Sequence, residues 1–150
     1  MGGSFAKLYY HLVFSTKDRL PLLTPDIAPR IHEYLGGLMR EIGGSSIITG
    51  GAEDHVHILG EIAKTLAVAD ALRKVKSGSS KWIKEAFPSL QHFAWQEGYG
   101  AFTISESGIK RVKGYILQQP KRHQEVTFQD EFRDFLRRHG IEFDENLIWL

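Results

Sequence analysis

Four short stretches of the chain are predicted to be β-strands, and in two of them, the first and the third, the side chains show the period of two that places them alternately on two faces. The stretches cover residues 7–15, 46–49, 54–61 and 99–105. In the first of them, aromatic and aliphatic side chains fill alternate positions, as expected for a strand with a buried face. Gly50-Gly51 lies between the second stretch and the third, so we expect a turn that begins at these glycines and joins the two strands into a hairpin.

Apolar residues recur at helical spacing in the segments between the strands. The first helix should begin near Asp26, whose side chain can cap it, and should stop at Gly43-Gly44. The second helix should begin after Thr65, which can also serve as a cap. Residues 77–80, with the sequence Ser-Gly-Ser-Ser, should interrupt or end this second helix, because glycine and serine are weak helix formers.

Two more helices are predicted after the last strand, over residues 107–119 and 127–139. Pro120 has no backbone N–H and disfavours helical geometry at the residue before it. We therefore expect an end or a kink at Gln119. Thr127 can cap the final helix.

The order of these elements is strand, helix, strand, strand, helix, strand, followed by additional C-terminal helices. This order predicts an α+β fold with a ferredoxin-like or RRM-like antiparallel sheet. In that topology the first and third strands form the central pair. The chain has 150 residues, of which 42% are hydrophobic and 25% charged, and this composition suits a single folded domain over residues 1–150.

The chain has no cysteine, which excludes a disulfide framework and a thiolate metal site. No apolar run approaches the roughly 18 residues that a membrane helix needs, and the first residues lack the pattern of a signal peptide. We therefore expect a cytoplasmic location. The apolar tail, residues 147–150, needs a surface on which to bury, supplied by its own core or by a partner subunit.

The net charge of +1 is small, but basic residues are concentrated in two segments of the chain. Such blocks suit the phosphate backbone of a nucleic acid, although they also occur as solvated helix faces. The candidate DNA-binding residues in these segments are Arg73, Lys74, Lys76, Lys81, Lys110, Arg111, Lys113 and Arg122.

Two histidines lie two positions apart in the third predicted strand, within the sequence Asp-His-Val-His-Ile at residues 54–58. If Val56 points into a core, His55 and His57 point together out of the opposite face. Two imidazoles side by side on a rigid strand can hold a divalent metal ion. The alternative interpretation is a pair of histidines on a half-exposed strand that bind nothing.

Tyr115 and Gln119 are one helical turn apart, so both side chains leave the same side of the predicted helix. A tyrosine hydroxyl can act as a nucleophile if a nearby cation stabilises the phenolate. A glutamine carbonyl oxygen is a hard ligand that suits Mg²⁺ or Mn²⁺. The alternative interpretations are a packed tyrosine with a hydrated hydroxyl and a surface amide.

Taken together, several motifs resemble the single-tyrosine HUH transposases of the smallest bacterial insertion sequences, including relatives associated with repeated extragenic palindromes. The resemblance spans nearly the whole chain, and the order of the motifs is more specific than the histidine pair alone. The matching stretches are residues 10–17 (YHLVFSTK), 54–59 (DHVHIL), 95–99 (WQEGY), 115–119 (YILQQ), 132–136 (FRDFL) and 139–141 (HGI).

The resemblance implies a DNA transposase and single-strand endonuclease in the bacterial cytoplasm, at the nucleoid. It implies that His55, His57 and Gln119 bind Mg²⁺ or Mn²⁺, and that Tyr115 forms a 5′-phosphotyrosine and leaves a free 3′-hydroxyl. The expected DNA is a single strand folded into hairpins at the element ends. The expected assembly is a homodimer with sites shared in trans, in which the tyrosine helix of one subunit completes the histidine site of the other.

One departure and two other classes of protein stay open. The family often carries a pair of histidines shortly after the glutamine, whereas only His123 stands there in this chain, which also fits an inactive or domesticated relative that binds hairpins. A single-stranded nucleic-acid binding module would stack bases on an exposed sheet without a metal. A zinc hydrolase would add Asp54 or Glu53 to the two histidines as its third ligand.

Overall fold

The structure, a computed structural model, describes residues 2–150. Four strands form one antiparallel sheet in the order β2-β3-β1-β4. They are β1 (Tyr9–Ser15), β2 (Ser45–Ala52), β3 (His55–Glu61) and β4 (Gly100–Ile104). The predicted α+β fold is confirmed, and so is the central pairing of the first strand with the third.

Five α-helices accompany the sheet in residues 2–150, and the first two lie on the opposite side of it from the other three. They are α1 (Ala28–Glu41), α2 (Val68–Ala86), α3 (Ile109–Leu117), α4 (Gln119–Arg122) and α5 (Phe128–Arg138). Single 3₁₀ turns occur at Lys17–Arg19, Pro88–Leu90 and Glu106–Gly108. Among the described helices, none is both long enough and apolar enough to cross a bilayer.

The larger core lies between the sheet and the helix pair α1 and α2. Leu12 and Phe14 of β1 point into this core together with Val56 and Ile58 of β3. These residues occupy alternate positions on their strands, so their neighbours point to the other face. Val56 therefore packs as the sequence predicts, and the two histidines beside it face away from α1 and α2.

The second face of the sheet is covered by the C-terminal helices. Leu59 packs against α3, and Val13 packs against α5. The covering residues on the helices are Val112, Ile116, Phe128, Phe132 and Leu136. Because both faces are buried, the sheet offers no open platform for stacked bases, and the alternative of a binding module with an exposed sheet is not supported.

Helix α2 runs without a break through residues 77–80, so the predicted interruption at these residues is wrong. Gly78 lies against Leu38 of α1, where an added Cβ would meet the leucine methyl groups at 3.4 Å. Ser79 is buried, and its hydroxyl donates to the Val75 carbonyl at 2.6 Å while accepting from the Trp95 indole N–H at 2.9 Å. The contacts of this stretch with α1 and Trp95 thus override the weak helix propensity of glycine and serine.

The turn between β2 and β3 does not begin at Gly50-Gly51, as predicted, because β2 continues to Ala52 and the turn lies at residues 53–54. Gly50 pairs with His57 inside the sheet. A Cβ on Gly50 would lie 2.8 Å from the Ile116 Cγ2 atom of α3. The glycine therefore permits the close approach of a helix to a strand, and it does not mark a turn.

Two of the three predicted helix caps are wrong. Helix α1 begins after Ile27 without a side-chain cap, because the Asp26 carboxylate instead accepts a hydrogen bond from the Thr24 hydroxyl. Helix α2 begins after Ala67, two residues beyond Thr65, again without a side-chain cap. The third cap is confirmed, since the Thr127 hydroxyl oxygen accepts the backbone N–H of Asp130 at 3.2 Å.

Candidate active site and metal-binding cluster

Strand β3 places His55 and His57 side by side on the face covered by the C-terminal helices. Both side chains are fully buried, with ring centroids 5.0 Å apart. The predicted common face is confirmed. The alternative of a half-exposed strand is wrong, because α3 and α5 close over the imidazoles.

The predicted break before Pro120 is confirmed and shapes the site. Helix α3 ends at Leu117, Gln118 departs from helical geometry with φ −94° and ψ 5°, and α4 starts at Gln119. Tyr115, which is partly buried, lies with its ring centroid 5.9 Å from that of His57. Gln119 is fully buried, with its Oε1 atom 2.9 Å from His55 Nε2, so the alternative of a surface amide is wrong.

Glu131 of α5 lies at the centre of the site and was not predicted from the sequence. Its side chain is almost fully buried, and its Oε1 atom lies near three imidazole nitrogens. The distances from Oε1 to Nε2 are 3.1 Å for His57, 3.2 Å for His123 and 3.5 Å for His55. Four residues therefore place potential metal-ligand atoms within 4.8 Å of one another, namely His55, His57, His123 and Glu131.

The second oxygen of Glu131 contacts the predicted catalytic helix. Its Oε2 atom accepts hydrogen bonds from the Tyr115 hydroxyl and, at 2.9 Å, from the Gln119 amide Nε2. Arg122 Nε lies 3.4 Å away from the same oxygen. One carboxylate thus connects the predicted nucleophile, the predicted amide ligand and the histidine cluster.

A sequence signal for Glu131 exists in the apolar stripe of α5. Phe128 lies three residues before it and Phe135 four residues after it, so the acid falls on the buried side of the helix. An acidic residue within an apolar stripe indicates a buried, paired carboxylate. The pattern gives no partner for it, however, because the histidines lie far away in sequence.

Each strand histidine is fixed from behind by a second polar residue. His55 Nδ1 lies 2.7 Å from an Asp54 carboxylate oxygen, and His57 Nδ1 lies 2.7 Å from His11 Nε2. Asp54 therefore contacts the far side of the imidazole and lies outside the cluster. Glu53 is exposed in the turn. The ligand set of the zinc hydrolase alternative is consequently not brought together.

Burial dominates the electrostatics of the site. It lowers the pKa of His11 to about 3 and that of His57 to about 4. Burial also opposes ionisation of Glu131, but the nearby imidazoles of His123 and His57 outweigh it, and the pKa of the carboxyl falls below its ordinary range. Burial and the neighbouring Glu131 raise the pKa of Tyr115 above its ordinary value. His57 is thus neutral and Glu131 ionised, the forms in which imidazole and carboxylate bind metals.

The hydrogen-bond pattern fits a divalent cation in the cluster. Because Asp54 is an acceptor, a neutral His55 must donate from Nδ1, which leaves a lone pair on Nε2. That lone pair faces Gln119 Oε1, which is also an acceptor. The orientation of this amide is set by the hydrogen bond that Gln119 Nε2 donates to Glu131. His123 Nε2 is buried without a hydrogen-bond partner. A cation between these atoms would satisfy all of them.

The eight predicted DNA-binding residues do not form one surface. Those on α2 and those on α3 lie on opposite sides of the sheet, and the exposed ones are Arg73, Lys74, Lys81, Lys110, Arg111 and Lys113. Lys76 is different, because it donates to the carbonyls of Glu97 and Gly98 at 2.8 Å and burial lowers its pKa to about 8. Arg122 lies beside Glu131 and over the Tyr115 ring, inside the site.

The single chain assembles the whole cluster by itself. Tyr115 and Gln119 approach the histidines of their own chain, which is a cis arrangement. This differs from the trans arrangement predicted from the sequence. The physical reason is the short connection from β4 to α3, through Glu106–Gly108, which lets Ile116 pack on Leu59 of the same sheet.

The sheet, the histidine pair and the tyrosine beside it place the chain in the class of single-tyrosine HUH proteins that its sequence resembles. The family model described as "Transposase IS200 like" matches residues 4–119, and the chain belongs to this family. DNA transposition is accordingly the class of activity to which the chain is assigned.

Similar proteins agree with this family. The ISDra2 transposase TnpA of Deinococcus radiodurans is 26% identical over 122 residues, which are 78% of this chain and 87% of that protein. A solved structure of a proposed transposase from Deinococcus radiodurans R1 is 25% identical, with a TM-score of 0.64 over 80% of this chain and 97% of the other. A REP-associated tyrosine transposase bound to a REP hairpin shares the fold at 15% identity, with a TM-score of 0.58 over 95% and 89% of the two chains.

Proposed function

We propose that this chain is a metal-dependent tyrosine transposase, which binds hairpin DNA at element ends and cleaves and rejoins single-stranded DNA. The observation that carries the proposal is the position of Tyr115, whose hydroxyl donates to the same carboxylate that faces the histidine cluster. A nucleophile and a potential ion site thus share one partner.

In the proposed reaction, the Tyr115 oxygen attacks a DNA phosphorus and the bond from phosphorus to the 3′ oxygen breaks. The phenol loses its proton, the 3′ oxygen gains one, and a 5′-phosphotyrosine and a 3′-hydroxyl result. Attack by a 3′-hydroxyl on the phosphotyrosine reverses these changes, so cleavage and joining need no ATP.

His55, His57 and Gln119 would hold the ion, which we propose to be Mg²⁺ or Mn²⁺. When bound, such an ion polarises the phosphate and stabilises charge on the departing 3′ oxygen. Asp54 and His11 orient the two imidazoles from behind, as outer partners of metal ligands commonly do. Arg122, over the Tyr115 ring, adds a positive charge beside the reacting oxygen.

The proposed substrate is single-stranded DNA that folds into hairpins. The fold is shared with a transposase whose structure contains a REP hairpin, and exposed lysines and arginines on α2 and α3 provide positive charge for the DNA backbone. We place the protein in the bacterial cytoplasm at the nucleoid, where such DNA occurs.

We further propose that residues 1–150 act as one domain and that two chains form a homodimer. The exposed apolar side chains of Leu117, Leu147 and Leu150 support a partner surface, since they are 64%, 61% and 60% exposed. Sharing of sites in trans is the second candidate arrangement. It requires α3 to leave its own sheet.

An inactive or domesticated protein that only binds hairpins is the second candidate function. The observation in its favour is Tyr115 itself, because burial and the hydrogen bond to Glu131 disfavour its phenolate. This candidate predicts hairpin binding without any covalent product.

The deciding experiment incubates the protein with end-labelled hairpin oligonucleotides and Mg²⁺ or Mn²⁺, followed by a denaturing gel. The proposal predicts an ion-dependent protein–DNA adduct and a cleaved strand with a 3′-hydroxyl. Tyr115→Phe should remove the adduct, whereas Tyr99→Phe, at an exposed tyrosine, should keep it. An adduct that survives Tyr115→Phe would assign the nucleophile to another residue, and hairpin binding without adduct would favour the inactive relative.

A further inference from the structure

We propose that Glu131 is itself a ligand of the divalent cation, so that a carboxylate from α5 completes the site built by His55 and His57. The inference rests on the proposed function, because it concerns the ion that the function uses. It assigns a metal-binding role to a part of the chain that lies beyond the family match, which ends at residue 119.

The first argument is burial. Glu131 is 2% exposed, and acidic side chains are almost never buried at this level unless they are paired or bind a metal. Its charged neighbour is Arg122, which contacts only Oε2 and is itself partly exposed. The remaining oxygen, Oε1, faces imidazoles alone, so the single delocalised charge of the carboxylate is paired only with one partly exposed guanidinium at 3.4 Å.

The second argument is the convergence of donor atoms. Three Nε2 atoms lie between 3.1 and 3.5 Å from Oε1, but only that of His57, at 3.1 Å, is in hydrogen-bond geometry with it. His55 already donates from Nδ1 to Asp54, and His123 Nε2 has no partner in hydrogen-bond geometry. Lone pairs of imidazole and carboxylate that point at one another repel, whereas a shared cation makes the same arrangement favourable.

The third argument is the rigid placement of the carboxylate. The Thr127 cap fixes the start of α5, and Phe128 and Phe132 anchor the helix in the core on either side of Glu131. The side chain therefore cannot swing into solvent without disturbing that packing. A ligand held in this way is pre-organised for the ion.

A consequence concerns the nucleophile. The same carboxylate accepts from the Tyr115 hydroxyl and from Gln119 through Oε2. A Glu131 bound to the ion through Oε1 would connect the ion to the tyrosine through one rigid group.

The test is a Mn²⁺ titration of the full chain without DNA, followed by calorimetry and by the electron paramagnetic resonance signal of free Mn²⁺. Glu131→Gln keeps the shape and removes the charge, and we expect it to weaken Mn²⁺ binding about 10–100-fold or more. The matched control is Asp134→Asn on the same helix, which removes one charge from a surface pair with Arg138 and should leave the affinity close to that of the unchanged protein.

A second variant tests the proposal in case Glu131→Gln does not fold. Glu131→Asp retains the carboxylate on a shorter side chain, and it should alter the visible spectrum of bound Co²⁺ while circular dichroism stays the same. Unchanged Mn²⁺ affinity in folded Glu131→Gln, or an unchanged Co²⁺ spectrum in Glu131→Asp, would overturn the inference. If the unchanged protein itself binds no ion, the proposed metal-dependent function fails. If the unchanged protein binds the ion and folded Glu131→Gln binds it equally well, only the role of Glu131 fails.

Discussion

At the scale of single residues, the site places a fixed negative charge where a DNA phosphate must arrive. Glu131 is buried and ionised, and the Tyr115 hydroxyl donates to it. A phosphate near that hydroxyl would bring a second anion within a few ångströms, where charges interact strongly because little water separates them. A cation between the two anions removes this repulsion, and the surrounding imidazoles can hold it.

The histidine pair should separate DNA cleavage from DNA binding. We predict that His55→Ala with His57→Ala abolishes adduct formation but retains much of the hairpin affinity, because affinity for the DNA backbone comes from exposed basic residues. Adduct gels and hairpin titrations at the same salt concentration measure the two activities. Parallel loss of both, in protein that circular dichroism shows to be folded, would contradict separate roles.

His32 on α1 provides a test of burial at a histidine outside the proposed ligand set. Burial, with a smaller contribution from His55, lowers its pKa from 6.5 to about 4. Between these values the unfolded chain binds the proton more tightly, so the free energy of unfolding should fall as the pH falls from about 6.5 to about 4. At 1.36 kcal/mol per pKa unit, the shifted pKa of this one residue should lower the free energy of unfolding by up to about 3 kcal/mol over this range.

His32→Gln should remove this pH-dependent loss of stability. The measurement is the free energy of unfolding of the unchanged protein and of His32→Gln, from denaturant unfolding across this pH range. In the difference between the two curves, the effects of the other titrating groups cancel. We expect the free energy of unfolding of the unchanged protein, minus that of His32→Gln, to decrease toward low pH. A flat difference for His32→Gln would show that this side chain is hydrated in the native state.

At the scale of elements, the position of α3 over β2 determines where Tyr115 lies. Gly50 pairs with His57 on one side and meets Ile116 of α3 on the other. An added Cβ would stand 2.8 Å from Ile116 Cγ2 and 3.2 Å from the Ile116 carbonyl oxygen. Since Tyr115 precedes Ile116, a displacement at this contact moves the tyrosine.

Gly50→Ala is therefore expected to reduce adduct yield and to lower the free energy of unfolding by about 1–3 kcal/mol, the usual cost of overpacking. Gly114→Ala on α3 is the matched control, because a Cβ there meets no atom within 4 Å. Replacing a helical glycine by alanine should stabilise the protein by about 0.5–1 kcal/mol and keep the adduct. Chemical denaturation and adduct gels measure both effects, and equal behaviour of the two variants would rule out the close contact.

The same elements show what sequence patterns can and cannot provide. The strand alternation around Val56 predicts the shared face of the histidines, and Pro120 predicts the break that sets Gln119 apart from α3. Gly50-Gly51 and residues 77–80 mislead, because Gly50 and Ser79 lie against other elements and mark no turn. Glu131 was missed because the contact that defines it spans 74 residues of sequence from His57.

At the scale of the whole molecule, the two sides of the sheet have different roles. The side with α1 and α2 contains the larger core, and the side with α3, α4 and α5 contains the candidate site. The C-terminal tail supports the second side, since Ile148 and Trp149 pack against the cluster around Phe132. The region after residue 119 is thus part of the site and its support.

The cis geometry and the trans prediction give opposite results in a mixing experiment. His57→Ala and Tyr115→Phe should each fail to cleave alone. If two chains share their sites in trans, a mixed dimer has one site with both changes and one intact site, so mixing restores cleavage at up to about half of its sites by symmetry. If each chain builds its own site, every site in the mixture keeps one defect.

We expect no rescue for the first cut. To work in trans, α3 must give up the contact of Ile116 with Gly50 and the hydrogen bond of Tyr115 to Glu131, both of which lie within one chain. The measurement is adduct yield across mixing ratios, after subunit exchange is verified with two distinguishable tags. Rescue that rises with the fraction of mixed dimers would show that α3 leaves its own sheet, and it would restore the trans arrangement expected from the sequence.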